Sequence, residues 1–289
     1  MNALIKRHML CYLRDRWAVF FSFLSVFIIL GLFLLFLGNL QSASVPEALR
    51  GTPEADYLIY SWIFSGLVVV SSVTVPLGFL HIFIKDHVEK NIDDFYVAPI
   101  KRSAIVFSYM FTAFLVGVLL SILSFTLTVA ILYSVSGYFL PFIDSIKVIG
   151  IIVFSNALFT ALFFFIATYL KTLNAHSNLA TLTGTLIGFL CGLYVPIGSF
   201  SSTIQSILNL FPPMQITALM RRVYMNDALQ QVFPSAPAAE SYRQFFGVDL
   251  ILFAADLSSL VLYIILTTWI IAAVSASIFR VKRVSARSR

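Results

Sequence analysis

The sequence predicts an all-α integral membrane protein of six transmembrane helices with both termini cytoplasmic. Three observations predict it. Of the 289 residues, 60% are hydrophobic and 11% charged, against about 25% charged in a soluble domain, so most of the surface must face lipid. Six apolar runs are long enough for a helix that crosses the hydrocarbon core, which takes about 20 residues. Lys and Arg are divided very unequally between the segments that join those runs.

The runs are Trp17–Gly38, Tyr57–Ile84, Ala104–Tyr133, Val148–Tyr169, Leu179–Ile197 and Leu250–Phe279. The third and sixth exceed the bilayer and imply tilt or extension beyond it. With the N-terminus inside, the outer segments hold Arg50, Lys147, Arg221, Arg222 and Arg243, and the inner ones hold the other 14 of the 19 Lys and Arg. Positive residues stay on the cytoplasmic side, which sets the orientation. The net charge of +6 thus reflects topology and not nucleic-acid binding, and the basic C-terminal tail is expected to meet anionic lipid headgroups. The first run is longer than the roughly 7–15 residues of a signal-peptide core, so it is expected to stay as an anchor. Residues 1–289 read as a single transmembrane domain. Cys11 and Cys191 fall in unrelated surroundings, so no disulfide framework is implied.

Three segments do not span. Residues 2–16 read as an amphipathic helix with Ile5, Met9, Tyr12 and Leu13 on one face and Arg7 and Arg14 opposite, suited to the membrane interface; the alternative is a simple basic flank. Residues 85–102 form the longest cytoplasmic loop. In it Val88, Ile92, Phe95 and Tyr96 fall on one helical stripe, Asp86, Glu89, Lys90, Asp93 and Asp94 surround them, and Pro99 ends the helix. Such a helix is suited to docking on another protein, or to lying on lipid; an anionic leaflet repels its acidic residues, which favours the protein. Residues 198–249 form the longest outer segment. Ile204, Ile207, Leu208 and Phe211, then Ile216, Leu219, Met220, Val223 and Tyr224, make two short apolar stripes split by Pro212 and Pro213. They predict two short helices dipping into the outer membrane, and Asn226–Asp249 reads as a solvated loop.

Reactive chemistry is sparse. No GxxxxGK[ST] phosphate loop occurs, so any ATP must be bound by another chain. His8, His81, His87 and His176 are scattered and no HExxH is present, so no catalytic, cofactor or metal site is expected. Asp256, the one carboxylate well inside a predicted span, is either a substrate or gating residue or a local hydrogen-bond partner, since an intramembrane charge is costly. Ala180, Gly184, Gly188 and Gly192 recur every four residues on the fifth run. That spacing lets another helix approach closely, at a subunit interface or within the chain. Ser65, Ser72 and Thr74 of the second run and Asn156 of the fourth either line a translocation path or make ordinary interhelical bonds.

Two local motifs complete the pattern: Glu89-Lys90-Asn91-Ile92-Asp93-Asp94-Phe95-Tyr96-Val97-Ala98-Pro99-Ile100-Lys101-Arg102 before the third run, and Leu210-Phe211-Pro212-Pro213-Met214 after the fifth. With the topology, they resemble the type-2 ABC exporter permeases. The resemblance implies that residues 86–98 are the coupling helix, with Val88, Glu89, Ile92, Asp93, Phe95, Tyr96 and Pro99 among its ATPase-coupling residues. It also implies two copies of a separate ABC ATPase subunit, which alone hold ATP and Mg, and a second permease, identical or homologous. The second and fifth spans would face the dimer axis. The cargo implied is an amphipathic or hydrophobic compound such as a drug, antibiotic, toxin or lipid-like molecule, moved out across the cell membrane; lipid-linked polysaccharide or wall polymer is the nearest variant. A secondary transporter would need inverted repeats and ionisable residues at the midplane, which are not evident. A membrane-embedded enzyme would need the catalytic cluster that is missing.

Overall fold

A computed structural model describes residues 1–33, 45–97, 99–233, 235–252 and 255–287. The end of the first run, residues 34–38, lies outside them, as does Pro234.

Helix α1 (Asn2–Arg14) and α2 (Arg16–Leu32) meet at a 70° bend. Asp15 makes it: its side chain accepts from the backbone N–H of Trp17 (3.1 Å) and Ala18 (3.0 Å), which caps α2 and stops α1 running into it. Within α1 the buried face is Leu4, His8 and Tyr12, whereas Leu13 is 43% exposed. The face is therefore rotated from the Ile5/Met9/Tyr12/Leu13 stripe, because α1 packs on α3 (Pro53–Val88) and α5 (Arg102–Ser136) and presents polar groups to them.

Helix α3 has 36 residues, about 54 Å of rise. Thr52 caps it, Pro53 opens it, and Glu54 and Asp56 occupy its first turn; acidic groups are favoured there by the helix dipole. It is the central pillar. Helices α2, α5, α6 (Phe142–Ala167), α7 (Leu173–Leu190) and α9 (Pro212–Tyr224) all pack on it, and 78% of its most apolar stretch is buried inside the chain. Its half-exposed positions within the run, Tyr60, Gly78, His81 and Ile82, are what it leaves for a second subunit.

The short helix α4 (Asn91–Val97) follows α3 after a tight turn, and α5 ends at Gly137 in the left-handed conformation (φ 75°). Helix α7 spans 18 residues but is shifted toward the N-terminus relative to the fifth run, beginning at Leu173 and ending at Leu190 with irregular chain beyond. Its first half holds Asn174, His176, Ser177 and Asn178. Among the described residues four helices, α3, α5, α6 and the final one, are long and apolar enough to cross a membrane, and the bent pair α1–α2 makes a fifth candidate.

The outer segment departs most from expectation. Helix α8 (Ser202–Leu210) and α9 match the two stripes, and Pro212 opens α9 in the first turn, where a missing N–H costs nothing. The stretch expected as a solvated loop is instead folded into α10 (Asn226–Val232) and α11 (Ala236–Phe245). Ala228, Leu229 and Val232 of α10 and Tyr242 and Phe246 at α11 are buried, and Tyr242 stacks on Phe246 at 4.1 Å. A short hairpin, β1 (Ile251–Leu252) against β2 (Ala255–Asp256), precedes α12 (Ser259–Arg287). The last helix thus starts nine residues later than the apolar run, and only 22% of its apolar stretch is buried, so it lies at the rim of the bundle.

Candidate functional site

The site is a corner where α1, the end of α3, α4 and α5 meet. Asp86, one turn from the end of α3, is 3% exposed. Arg7 of α1 donates to its carboxylate from both terminal nitrogens, at 2.7 and 3.1 Å. The Tyr109 hydroxyl of α5 donates at 2.5 Å, and Asn91 Nδ2, at the start of α4, at 3.3 Å. One carboxylate therefore ties together four helices through charge-assisted bonds, the stronger class of hydrogen bond.

Around this pair the packing is aromatic. The Arg7 guanidinium lies 5.0 Å from the Phe95 ring centre, a favourable cation–π geometry. His8 stacks on Tyr109 at 3.8 Å and bonds Ser108 Oγ at 3.1 Å. Burial, and next the Arg7 charge, push the His8 imidazole down to about 4, so it is neutral at physiological pH. The turn between α3 and α4 passes through Lys90, whose φ of 62° is unusual for a side-chain-bearing residue. Its N–H bonds His87 O at 3.3 Å, and Asp93 N–H bonds Lys90 O at 3.0 Å.

The expected docking stripe is split. Ile92 is 4% exposed and Phe95 half-buried, both packed on the chain's own core. Val88 belongs to the last turn of α3 and is 45% exposed. Glu89, Lys90, Asp93 and Asp94 face outward, Tyr96 lies in the last turn of α4, and Pro99 follows the helix. A seven-residue helix has one apolar face, and here that face holds α4 to the bundle. Among the described side chains Val88 and an acidic rim face outward for a partner.

Of the polar residues in the spans, Asn156, Ser72 and Thr74 tie helices together, whereas Ser65 bonds within α3. Asn156 Nδ2 reaches Ser72 Oγ (3.3 Å), Ser121 Oγ (3.2 Å) and Ile152 O (2.9 Å), joining α3, α5 and α6. Thr74 donates to Ser22 O at 2.8 Å and Ser65 to Trp62 O at 2.7 Å, elsewhere on α3. Asp256 is not in a span at all; it is an exposed residue of β2, because the hairpin holds the chain outside α12.

The small-residue stripe packs inside the chain. A Cβ at Gly184 would meet Ser25 Oγ of α2 at 3.1 Å, and one at Gly188 would collide with the Tyr194 ring. Gly192 lies beyond α7, left-handed at φ 57°, and Ala180 is half-buried. Ser177, Thr181 and Thr185, three residues before Ala180, Gly184 and Gly188, flank that stripe on its exposed side, and the exposed surface of α7 also carries Asn178, Leu182, Leu186 and Phe189.

A second polar focus lies under the outer helices. Arg221 of α9 is fully buried and donates to Cys191 O (3.1 Å), Gly192 O (2.9 Å) and Gly247 O (3.5 Å). Burial pulls it down to about 9, which leaves it charged at neutral pH.

Sequence reasoning missed the roles of Asp86, Arg7, His8, Tyr109 and Arg221. The available signals were a carboxylate ending an apolar helix and a histidine at the i, i+4, i+8 register of Leu4 and Tyr12.

A bundle of helices long and apolar enough to cross a membrane defines a multi-pass membrane protein. Residues 1–225 match the ABC-2 type transporter family, and the chain belongs to that family. It is therefore a membrane component of an ABC transporter, a class that works with an ATPase subunit. A search among curated proteins gave no match.

Proposed function

We propose that the chain is the permease subunit of an exporter in the cell membrane, and that α4 is the coupling helix on which a separate ATPase acts. The observation that carries this is the corner itself. Asp93 and Asp94 face outward on a helix whose Asn91 donates to Asp86 of α3 and whose Phe95 lies under Arg7 of α1, while Tyr109 of α5 holds the same Asp86. A push on that rim reaches three helices at once. ATP and Mg reside in the ATPase, present in two copies, and this chain hydrolyses nothing.

The six-span topology with both termini inside is part of the reading, with α7 as the remaining crossing. Its exposed surface mixes Ser177, Asn178, Thr181 and Thr185 with Leu182, Leu186 and Phe189, and the polar part of it suits a second permease or a shared cavity better than lipid. The apolar spans suit an amphipathic or hydrophobic cargo, with lipid-linked polymers the nearest variant.

The test is gentle purification of the chain from its native membrane with mass spectrometry of what accompanies it. A stoichiometric ATPase, lost when Asp93 and Asp94 are both changed to Lys, supports the reading. A chain that purifies alone even after crosslinking would move it to a secondary transporter.

A further inference from the structure

Arg221 has no carboxylate partner among the described residues, although it is fully buried. A buried guanidinium with only neutral acceptors is an expensive arrangement, and the chain has built closely around it. Two left-handed glycines, Gly192 (φ 57°) and Gly247 (φ 67°), turn the chain on either side. Both offer it their carbonyls, and Cys191 adds a third. A Cβ at Gly247 would come within 2.9 Å of Arg221 Nη1 and 2.7 Å of Met214 Cε, so only glycine lets the chain approach. The Trp62 ring of α3 lies 5.1 Å from the guanidinium carbon, and its Nε1 donates to Phe246 O at 3.0 Å. The Arg221 Nε is buried without a partner.

The acceptors come from two bodies. Cys191 caps the C-terminus of α7 and Gly192 follows it, next to the negative end of the helix dipole; Gly247 closes the cap made by α9, α10 and α11. We infer that Arg221 is a positioning residue, a latch that clamps the end of α7 to this cap, and that α7 parts from the cap only when the Cys191 and Gly192 carbonyls leave the guanidinium. Neutral carbonyls hold the cation less tightly than a carboxylate would, so the latch is one that a moving helix can open. Its role in a transport cycle rests on the permease reading; the clamp itself does not.

Cys191 is a native reporter, fully buried beside the latch. With Cys11→Ser it is the only cysteine. The full chain in lipid nanodiscs, where both faces meet the reagent, is treated with a polar maleimide. The parent should label slowly. Arg221→Met, of similar length and uncharged, should label at least about tenfold faster, since a bond to a charged group is lost on each side, and Arg221→Lys should restore part of the protection. Arg222→Gln should leave Cys191 protected, because Arg222 holds Val248 O, Leu257 O and Ser259 instead. If Arg221→Met labels no faster than the parent, the latch is wrong; faster labelling in Arg222→Gln as well would reduce Arg221 to general packing and overturn it too. Should Arg221→Met not fold, Gly247→Ala decides by the same readout, protection overturning the latch and labelling sustaining it. With an ATPase bound, a non-hydrolysable ATP analogue should change the parent's labelling. No change there, with Arg221→Met labelling fast, overturns the role in the cycle and leaves the clamp. If no ATPase associates, the permease reading fails while the labelling still judges the clamp.

Discussion

Asp86 and Arg7 are 79 residues apart in sequence and joined by two hydrogen bonds of 2.7 and 3.1 Å. The bond makes the N-terminal helix part of the coupling corner. A carboxylate at the end of the central helix thereby controls where α1 and α4 sit.

Removing the cation should loosen that corner. Arg7→Met leaves Asp86 buried with Tyr109 and Asn91 as donors. Arg7 is partly exposed, which screens the pair, so a loss of about 1–2 kcal/mol is expected. Thermal unfolding in detergent should show a lower Tm, and an unchanged Tm would reject the tie.

The outward and inward faces of α4 should behave differently. Replacing Asp93 and Asp94 with Lys should abolish ATPase association while changing stability by no more than about 0.5 kcal/mol, as for exposed positions. Ile92→Asp buries an unpaired charge and should destabilise the corner strongly. Binding assays paired with melting curves separate the two; equal loss of stability in both would show that the rim is also structural.

His8 gives the corner a pH dependence of known sign. Its folded value, about 4, lies below the roughly 6.5 of an unfolded histidine. Between those values the unfolded chain binds more protons, so stability is full above about pH 6.5 and falls as pH drops toward 4. His8→Gln should flatten that slope in melts taken from about pH 7 to 4. An unaltered slope assigns the acid sensitivity to other groups.

Gly188→Leu should harm the single chain before it harms any assembly. The space is filled by Tyr194, and forcing extra carbons into a packed site costs about 1–3 kcal/mol. A cysteine at Thr181, on the exposed face, should instead crosslink two copies in native membranes. Crosslinking from a cysteine at Ala180 but not at Thr181 would return the interface to the small-residue side.

The legible parts of the sequence were those in which one period dominates. The apolar runs gave α3, α5 and α6 because lipid requires unbroken helix, and Pro212 and Pro213 marked the start of α9. Sequence periodicity did not separate a stripe that holds a helix to its own chain from one that recruits a partner: Ile92 and Phe95 have the spacing of either. Asp256 was misplaced because residues 250–255 are as apolar as a span, and nothing local announces a hairpin of two-residue strands. The Asp86 and Arg221 sites were invisible for a different reason. Their partners, Arg7, Tyr109, Gly192 and Gly247, come from distant parts of the chain, and a carbonyl acceptor has no letter in the sequence.

Because α3 is packed against five other helices of its own chain, sliding it past any one of them would break its contacts with the rest. It is a lever embedded in its own housing. Work done at the Asp93–Asp94 end must turn the housing with it, and a tilt of about 5° about one end displaces the other by about 5 Å over a helix of about 54 Å. The mechanical output at the far face is then set by helix length and the stiffness of the bundle, and a soft substitution anywhere along the pillar would appear as lost stroke at the opposite end.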